Sequence, residues 1–268
     1  MRFDRNYLLT IDLGGFQVEV RPPMQIAFKA FKSIYGGLNK ATVQIYNLKE
    51  PTRLKLVKDP EDTEVIIPFS LSVGYGEDVD VIFKGDMFTG ETERKGTDFI
   101  TKIESLDGGF DFLNSFTSKT VKGKDAALDT LIGDMPNTAK GFITGQEQVV
   151  RPIVLVGNTA ELIRQQLKVD ETYYIDNEVL NIIKKTELTG SFVPIVSAQT
   201  GLMNTPKRLN KRVTFSTLLN PSLKIGESCQ LVSVTAPHLN GIYKLEDVGI
   251  SGDYYGTDWT QEVTGTLI

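Results

Sequence analysis

The chain is 268 residues long, 40% hydrophobic and 24% charged, with a formal net charge of −5. A chain of that size buries a large core without disulfide or metal staples, and its composition excludes a disordered or fibrous protein. The acidic balance excludes an overall basic footprint for gripping nucleic acid.

From the N-terminus, Leu9, Ile11 and Leu13 alternate with polar residues, the period of a half-buried strand. Gly14-Gly15 marks a turn, and Phe16, Val18 and Val20 restart the alternation. Ile26, Phe28, Ala30 and Lys32 predict a third strand, and Ala41, Val43 and Ile45 a fourth after Gly36-Gly37. Pro51 followed by Leu54, Leu56 and Val57 predicts a short helix with proline in its first turn. Phe69, Leu71 and Val73, then Val79, Val81 and Phe83, resume the strand period, with Gly85, Gly90 and Gly96 read as turn punctuation before Phe99–Glu104. Roughly eight strands and one helix imply a closed or nearly closed antiparallel β-barrel over residues 1–115.

Residues 116–190 change character and read as a small α+β insert. Ala127, Leu128, Leu131 and Ile132 have helical spacing, and Asn158 with Glu161 predicts a capping box ahead of Leu162 and Ile163. Asp176-Asn177-Glu178 forms the tip of a hairpin between Tyr173–Ile175 and Val179–Ile182. Residues 191–268 return to strands around Val213–Thr217, Cys229–Val232, Ile242–Glu246 and Trp259–Val263, a second barrel. The fold class is therefore mainly β with an α+β insert between two antiparallel barrels. No short tandem repeat is visible, and the two β modules are consistent with a decayed duplication.

Catalytic signals are sparse. His238 is the sole histidine and sits in a Pro-His-Leu-Asn-Gly turn with no orienting partner nearby. Cys229 is the sole cysteine and lies in an apolar strand. Together they exclude an intramolecular disulfide, a cysteine-based metal centre and any two-histidine motif, so no metal or cofactor is expected. Asp12 with Glu19, and Asp247 with Asp253, read as solvated strand or turn residues rather than a hydrolytic pair. Ser251–Asp258 has loop oxygens without the residue order of a calcium loop. Met1-Arg2-Phe3-Asp4-Arg5 carries charge where a signal peptide needs an apolar core, and no apolar stretch reaches the ~18 residues of a membrane span. Assembly in the cytoplasm is expected.

Charge is unevenly spread. Lys207, Arg208, Lys211 and Arg212 form a cationic block, while Glu77, Asp78, Asp80, Asp86, Glu91 and Glu93 face only Lys84 across residues 75–93. The block reads either as a solvated face or as a patch that sets register between subunits or lines a channel.

Several stretches, in order, resemble phage baseplate hub proteins of contractile tails. They are Ala41–Leu48, Arg53-Leu54, Val73-Gly74-Tyr75-Gly76, Ile82–Gly85 and Gly96–Gly108, then Gly157–Leu162 in the insert. Thr200–Pro206, Leu218–Pro221, Ile225-Gly226-Glu227, Asn240–Leu245, Ser251-Gly252-Asp253 and Asp258-Trp259 continue the match. The resemblance implies a non-enzymatic scaffold: a homotrimer whose two tube-like barrels per chain build a ring of pseudo-six-fold symmetry. Such a ring joins the tail-tube protein to a central spike protein, contacts other baseplate proteins, and passes the tape-measure protein and DNA through its lumen without specific binding. The implied location is the virion. The absence of sequence beyond Ile268 implies that the spike is a separate chain. A tail-tip cell-wall hydrolase, or the hub of a type VI secretion or contractile bacteriocin device, is the alternative.

Overall fold

The computed structural model describes residues 4–35, 37–62, 65–144 and 151–268. Met1–Phe3 of the charged N-terminus and Gly36 of the expected glycine turn lie outside these. The first β module contains β1 (Arg5–Asp12), β2 (Gln17–Val20), β3 (Ile26–Ser33), β4 (Lys40–Tyr46), α1 (Glu50–Lys55), β5 (Pro68–Tyr75), β6 (Asp78–Lys95) and β7 (Asp98–Leu106). After α2 (Gly109–Asn114) the insert follows with β8 (Phe116–Lys122), α3 (Lys124–Gly133), β9 (Ala139–Ile143), β10 (Pro152–Asn158), α4 (Thr159–Gln166), β11 (Glu171–Asp176) and β12 (Val179–Lys184). The second β module has β13 (Ile195–Ser197), β14 (Lys207–Leu209), β15 (Arg212–Leu218), β16 (Ser228–Val232), β17 (Gly241–Asp253) and β18 (Trp259–Leu267).

The protein is mainly β, as the alternation predicts. Alternate residues of the longer strands of both β modules enter one apolar core, to which Leu9, Val43, Leu71, Ile103, Phe215, Leu245 and Val263 all contribute. A second apolar cluster, built from Leu128, Leu131, Leu155, Ile163, Ile175 and Leu180, belongs to the insert. Within it Asn158 caps α4, its side-chain oxygen accepting from the Glu161 N–H at 3.1 Å. Glu161 does not reach back as a full capping box requires; it pairs instead with Arg164 one turn on, at 3.1 Å.

Two glycines read as turns are not turns. Gly85 and Gly90 lie inside β6, an 18-residue strand. A Cβ at Gly85 would run into the Leu106 carbonyl, and one at Gly90 into the Leu56 carbonyl. Both positions need glycine for close backbone approach rather than for chain reversal, which leaves seven strands in the first module where the glycine count suggests eight. Only Gly96, at φ +64, makes the expected reversal.

The strands of both modules lie in one 13-stranded sheet with the path β14-β15-β18-β17-β3-β4-β7-β6-β5-β1-β2, while β16 and β13 branch from β17. Among the described residues no ladder joins β2 to β14, so the path is open at those two ends.

Five strands of the second module, β14–β18, repeat β3–β7 of the first in order and pairing. The hairpins β3–β4 and β6–β7 answer to β14–β15 and β17–β18. β4 pairs with β7 from Lys40↔Leu106 to Tyr46↔Ile100, and β15 pairs with β18 from Arg212↔Thr266 to Leu218↔Thr260. Both long strands carry a bulge in the same place, after Met87 in β6 and after Leu245 in β17. Before the bulge each is flanked by an antiparallel partner, β5 on β6 and β16 on β17. A bulge bends its strand and strengthens the local twist, so each long strand turns a corner at the same point.

Candidate functional site

The sheet face turned away from the core is polar and concave where the two modules meet. Lys29 and Phe31 of β3, Lys40 and Thr42 of β4, Asp247 and Ser251 of β17, Glu262 of β18 and Ser216 of β15 line an open groove of ≈ 540 Å³. A second groove of ≈ 340 Å³ shares Lys29, Thr42 and Ser251 and extends the same face past Gln44, Asp253 and Asp258. Strand alternation explains the surface: the apolar half of each strand enters the core, leaving threonines, serines and charges on the other side. Two cations on or beside this face are paired. Lys40 lies 2.6 Å from Glu104, and Lys102 lies 3.3 Å from Glu104 and 3.4 Å from Glu91. The hydrogen bond from Lys40, ahead of that from Lys102, holds the Glu104 carboxyl below the usual carboxylate range.

The cationic block is a hairpin. Lys207 and Arg208 lie on β14, Asn210 at φ 58 and Lys211 make the two-residue turn, and Arg212 opens β15. Arg212 is satisfied within the chain: its Nε is 2.9 Å from Glu246 and its guanidinium lies over the Tyr35 ring at 4.8 Å. Burial, then the hydrogen bond to Glu246, pushes the Tyr35 hydroxyl up to about 12. Arg208 donates from Nε to the Asn210 carbonyl at 3.0 Å. Among the described residues Lys207 and Lys211 have no ion pair. Three of the four cations thus share one exposed hairpin free of carboxylates, and Arg212 is separated from them by function.

A polar clasp between insert and β modules has no counterpart in the sequence reading. The β11–β12 hairpin turns through Asn177 at φ 54 and Glu178 at φ 65, the left-handed pair of a type I′ turn. Lys32 of β3, only 5% exposed, reaches this tip and donates to Asp176 Oδ1 at 2.5 Å and Asn177 Oδ1 at 2.8 Å. Lys84 pairs with Glu178 at 2.5 Å. The fully buried Asp107 accepts the Asn177 and Glu178 backbone N–H groups at 2.6 and 2.7 Å. Burial is the main influence on Asp107 and pushes its carboxyl up to about 7. At the other end of the hairpin Lys244 of β17, 1% exposed, donates to the Lys184 and Lys185 carbonyls, each at 3.0 Å. Burial lowers the Lys244 ammonium to about 8. The insert therefore ties both modules together. The clue in the sequence was Lys32 itself, a cation on the apolar side of its strand's alternation.

Cys229 is buried, and burial pushes its thiol up to about 12. His238 lies in an exposed 3-10 turn, Pro237–Leu239. Asp253 accepts from the Gly256 N–H at 2.9 Å, and Arg5 donates to the Asp253, Gly256 and Thr257 carbonyls at 2.8, 2.6 and 3.2 Å. A guanidinium therefore holds the loop oxygens that a calcium ion would need. Asp86, raised to about 6 chiefly by burial, borders a cavity of ≈ 40 Å³, far below the ~300 Å³ at which ligand pockets begin.

Repeated β modules thus share one sheet, with a polar groove on the face turned away from the core. The chain superposes on the 43 kDa tail protein of prophage MuSo2 from Shewanella oneidensis with a TM-score of 0.65 at 8% identity, covering 97% of this chain and 96% of that one. A tail protein from Neisseria meningitidis gives 0.60 at 10% identity, with 97% and 96% covered. An E. coli component of the type VI secretion system, described as structurally similar to T4 bacteriophage tail proteins gp27 and gp5, gives 0.65 at 8% identity, with 96% and 76% covered. No curated protein matches by sequence. The chain belongs to the family described as baseplate hub gp41, whose model matches residues 8–249.

Proposed function

We propose that this protein is a non-enzymatic hub of a phage tail baseplate, located in the virion: three copies form a ring of pseudo-six-fold symmetry that joins the tail tube to the central spike. One observation carries the reading. The two β modules repeat each other and lie edge to edge in a single sheet, so each chain fills two successive places around a ring and three chains fill six. In this reading residues 1–115 and 191–268 are the two tube-like units and 116–190 the insert that braces them. The concave polar face lines the bore, through which the tape-measure protein and then DNA pass. Lys40 on this face and the neighbouring Lys102 are engaged by Glu104 and Glu91, which lessens their capacity to neutralise phosphates, the event that makes DNA bind.

Light scattering and negative-stain imaging test this, with the purified protein alone at high concentration and mixed with its tube and spike proteins. Rings of three chains are expected; a protein that stays monomeric in every mixture overturns the reading.

A further inference from the structure

The repeat leaves an edge covered in one module and bare in the other. Past its bulge, β17 pairs with β18 on one side and with β3 on the other, from Asp247↔Ser33 to Asp253↔Ala27. The same half of β6 pairs with β7 on one side only. Among the described residues its other side is met at Gly90 alone, where Lys58 exchanges two backbone hydrogen bonds of 2.9 Å. β14 is the counterpart of β3, and among the described residues it pairs with β15 alone. The chain thus makes one β17–β3 joint internally and carries both halves of a second, unmade, at its two ends.

We propose that β6 of one copy, at Glu91–Glu93, pairs antiparallel with β14, Lys207–Leu209, of the next copy, reproducing the internal joint. The proposal rests on the ring reading above and names the strands that close it. Its register follows from the repeat. Asp247↔Thr264 and Thr89↔Glu104 are the first pairs past the two bulges, so Gly249 answers to Glu91 and Ser251 to Glu93. Lys29↔Thr42 and Phe31↔Lys40 match Lys207↔Thr214 and Leu209↔Arg212, so Lys29 answers to Lys207 and Phe31 to Leu209. The internal pairs Ser251↔Lys29 and Gly249↔Phe31 then become Glu93 opposite Lys207, and Glu91 opposite Leu209, of the neighbouring copy.

The chemistry of the two edges agrees with that register. Glu93 and Lys207 are both exposed and have no ion pair among the described residues, and opposite charges on directly opposed strand residues attract. Leu209, 77% exposed, would be covered. The ladder also stops where each strand does: Gly90 is already taken by Lys58, and Asn210 turns away at φ 58. A bare edge is a template for another strand, and a head-to-tail joint of this kind closes into a ring when its rotation allows. Glu93 of the acidic stretch and Lys207 of the basic block are thereby two sides of one contact.

Cysteine trapping tests the register, with little background because the one native cysteine, Cys229, is buried. The Glu93→Cys/Lys207→Cys protein is oxidised or treated with a short bismaleimide. A covalent ladder ending at three chains is expected. Each single variant, and Thr92→Cys/Lys207→Cys, whose first cysteine faces the other side of the strand, should give none. Glu93→Lys should weaken assembly at low salt at least about tenfold, and Lys207→Glu in the same chain should restore it. A trimer by light scattering with no Glu93–Lys207 product overturns the joint and leaves the hub reading standing. Monomer in every mixture, with no product, overturns both. A ladder running past three upholds the joint and removes closure at three.

Discussion

Replacing Lys32 by alanine tests the clasp that holds the insert to the first module. In the native protein the ammonium lies 2.5 Å from Asp176, with the two side chains 7% and 14% exposed. It also donates to Asn177 and sits 5.7 Å from the centre of the Phe83 ring. Removing it leaves Asp176 beside the buried Asp107 carboxyl with no cation in contact. Breaking one partner of a buried pair costs about 3–5 kcal/mol, because the survivor is a buried charge without compensation. With a urea slope of ~2–3 kcal/mol/M, the unfolding midpoint falls by roughly 1–2.5 M. Hydrogen exchange supplies the local readout: the Asn177 and Glu178 amides, donated to Asp107, should lose protection before the β17–β18 ladder does. The paired change Lys32→Met/Asp176→Leu removes both charges and should recover most of the loss. A Lys32→Ala protein within about 1 kcal/mol of wild type, with those two amides still protected, would refute the reasoning.

Three further outcomes follow from the same structure. Gly90→Ala forces a methyl group against the Leu56 carbonyl and should cost ~1–3 kcal/mol, a fall in Tm of several degrees by calorimetry; an unchanged Tm would mean that β6 does not run through Gly90 against α1. Asp107 has its folded pKa raised to about 7 from 3.8, so its contribution to stability is full below pH ~4 and is lost as pH rises through 7. Asp107→Asn lacks that titration, so its stability relative to wild type should improve between pH 4 and 8; a variant that grows relatively weaker with rising pH would show the carboxyl is held low instead. Cys229, buried with its thiol raised to about 12, should resist a thiol reagent at pH 8 and react fully in urea.

Legibility along the chain followed the range of the interactions involved. Short-range patterns read correctly: the β1 and β3 alternations, Pro51 at the start of α1, the Asn158 cap and the Asp176–Glu178 hairpin tip all depend on residues a few positions apart. Gly85 and Gly90 read as turns in sequence because a turn and a close backbone approach ask for the same residue. What separates them is the position of Leu106 on β7 and of Leu56 just past α1. The clasp was out of reach for the same reason, since Lys32 and Asp176 stand 144 residues apart.

By itself, the sequence determined the class of the protein: strand-period alternation set a mainly β chain, one cysteine and one histidine removed most chemistry, and ordered motifs pointed to a baseplate hub. The tertiary structure alone decided that the modules share one continuous sheet and repeat each other with their bulges in register. Strand pairing is a contact between distant segments, and divergence erases residue identity while the ladder geometry persists. The basic block shows the difference. In sequence it was four cations in a row; in the fold Arg212 is bound to Glu246 inside the chain, while Lys207 stands on the bare strand edge that the repeat leaves to be filled.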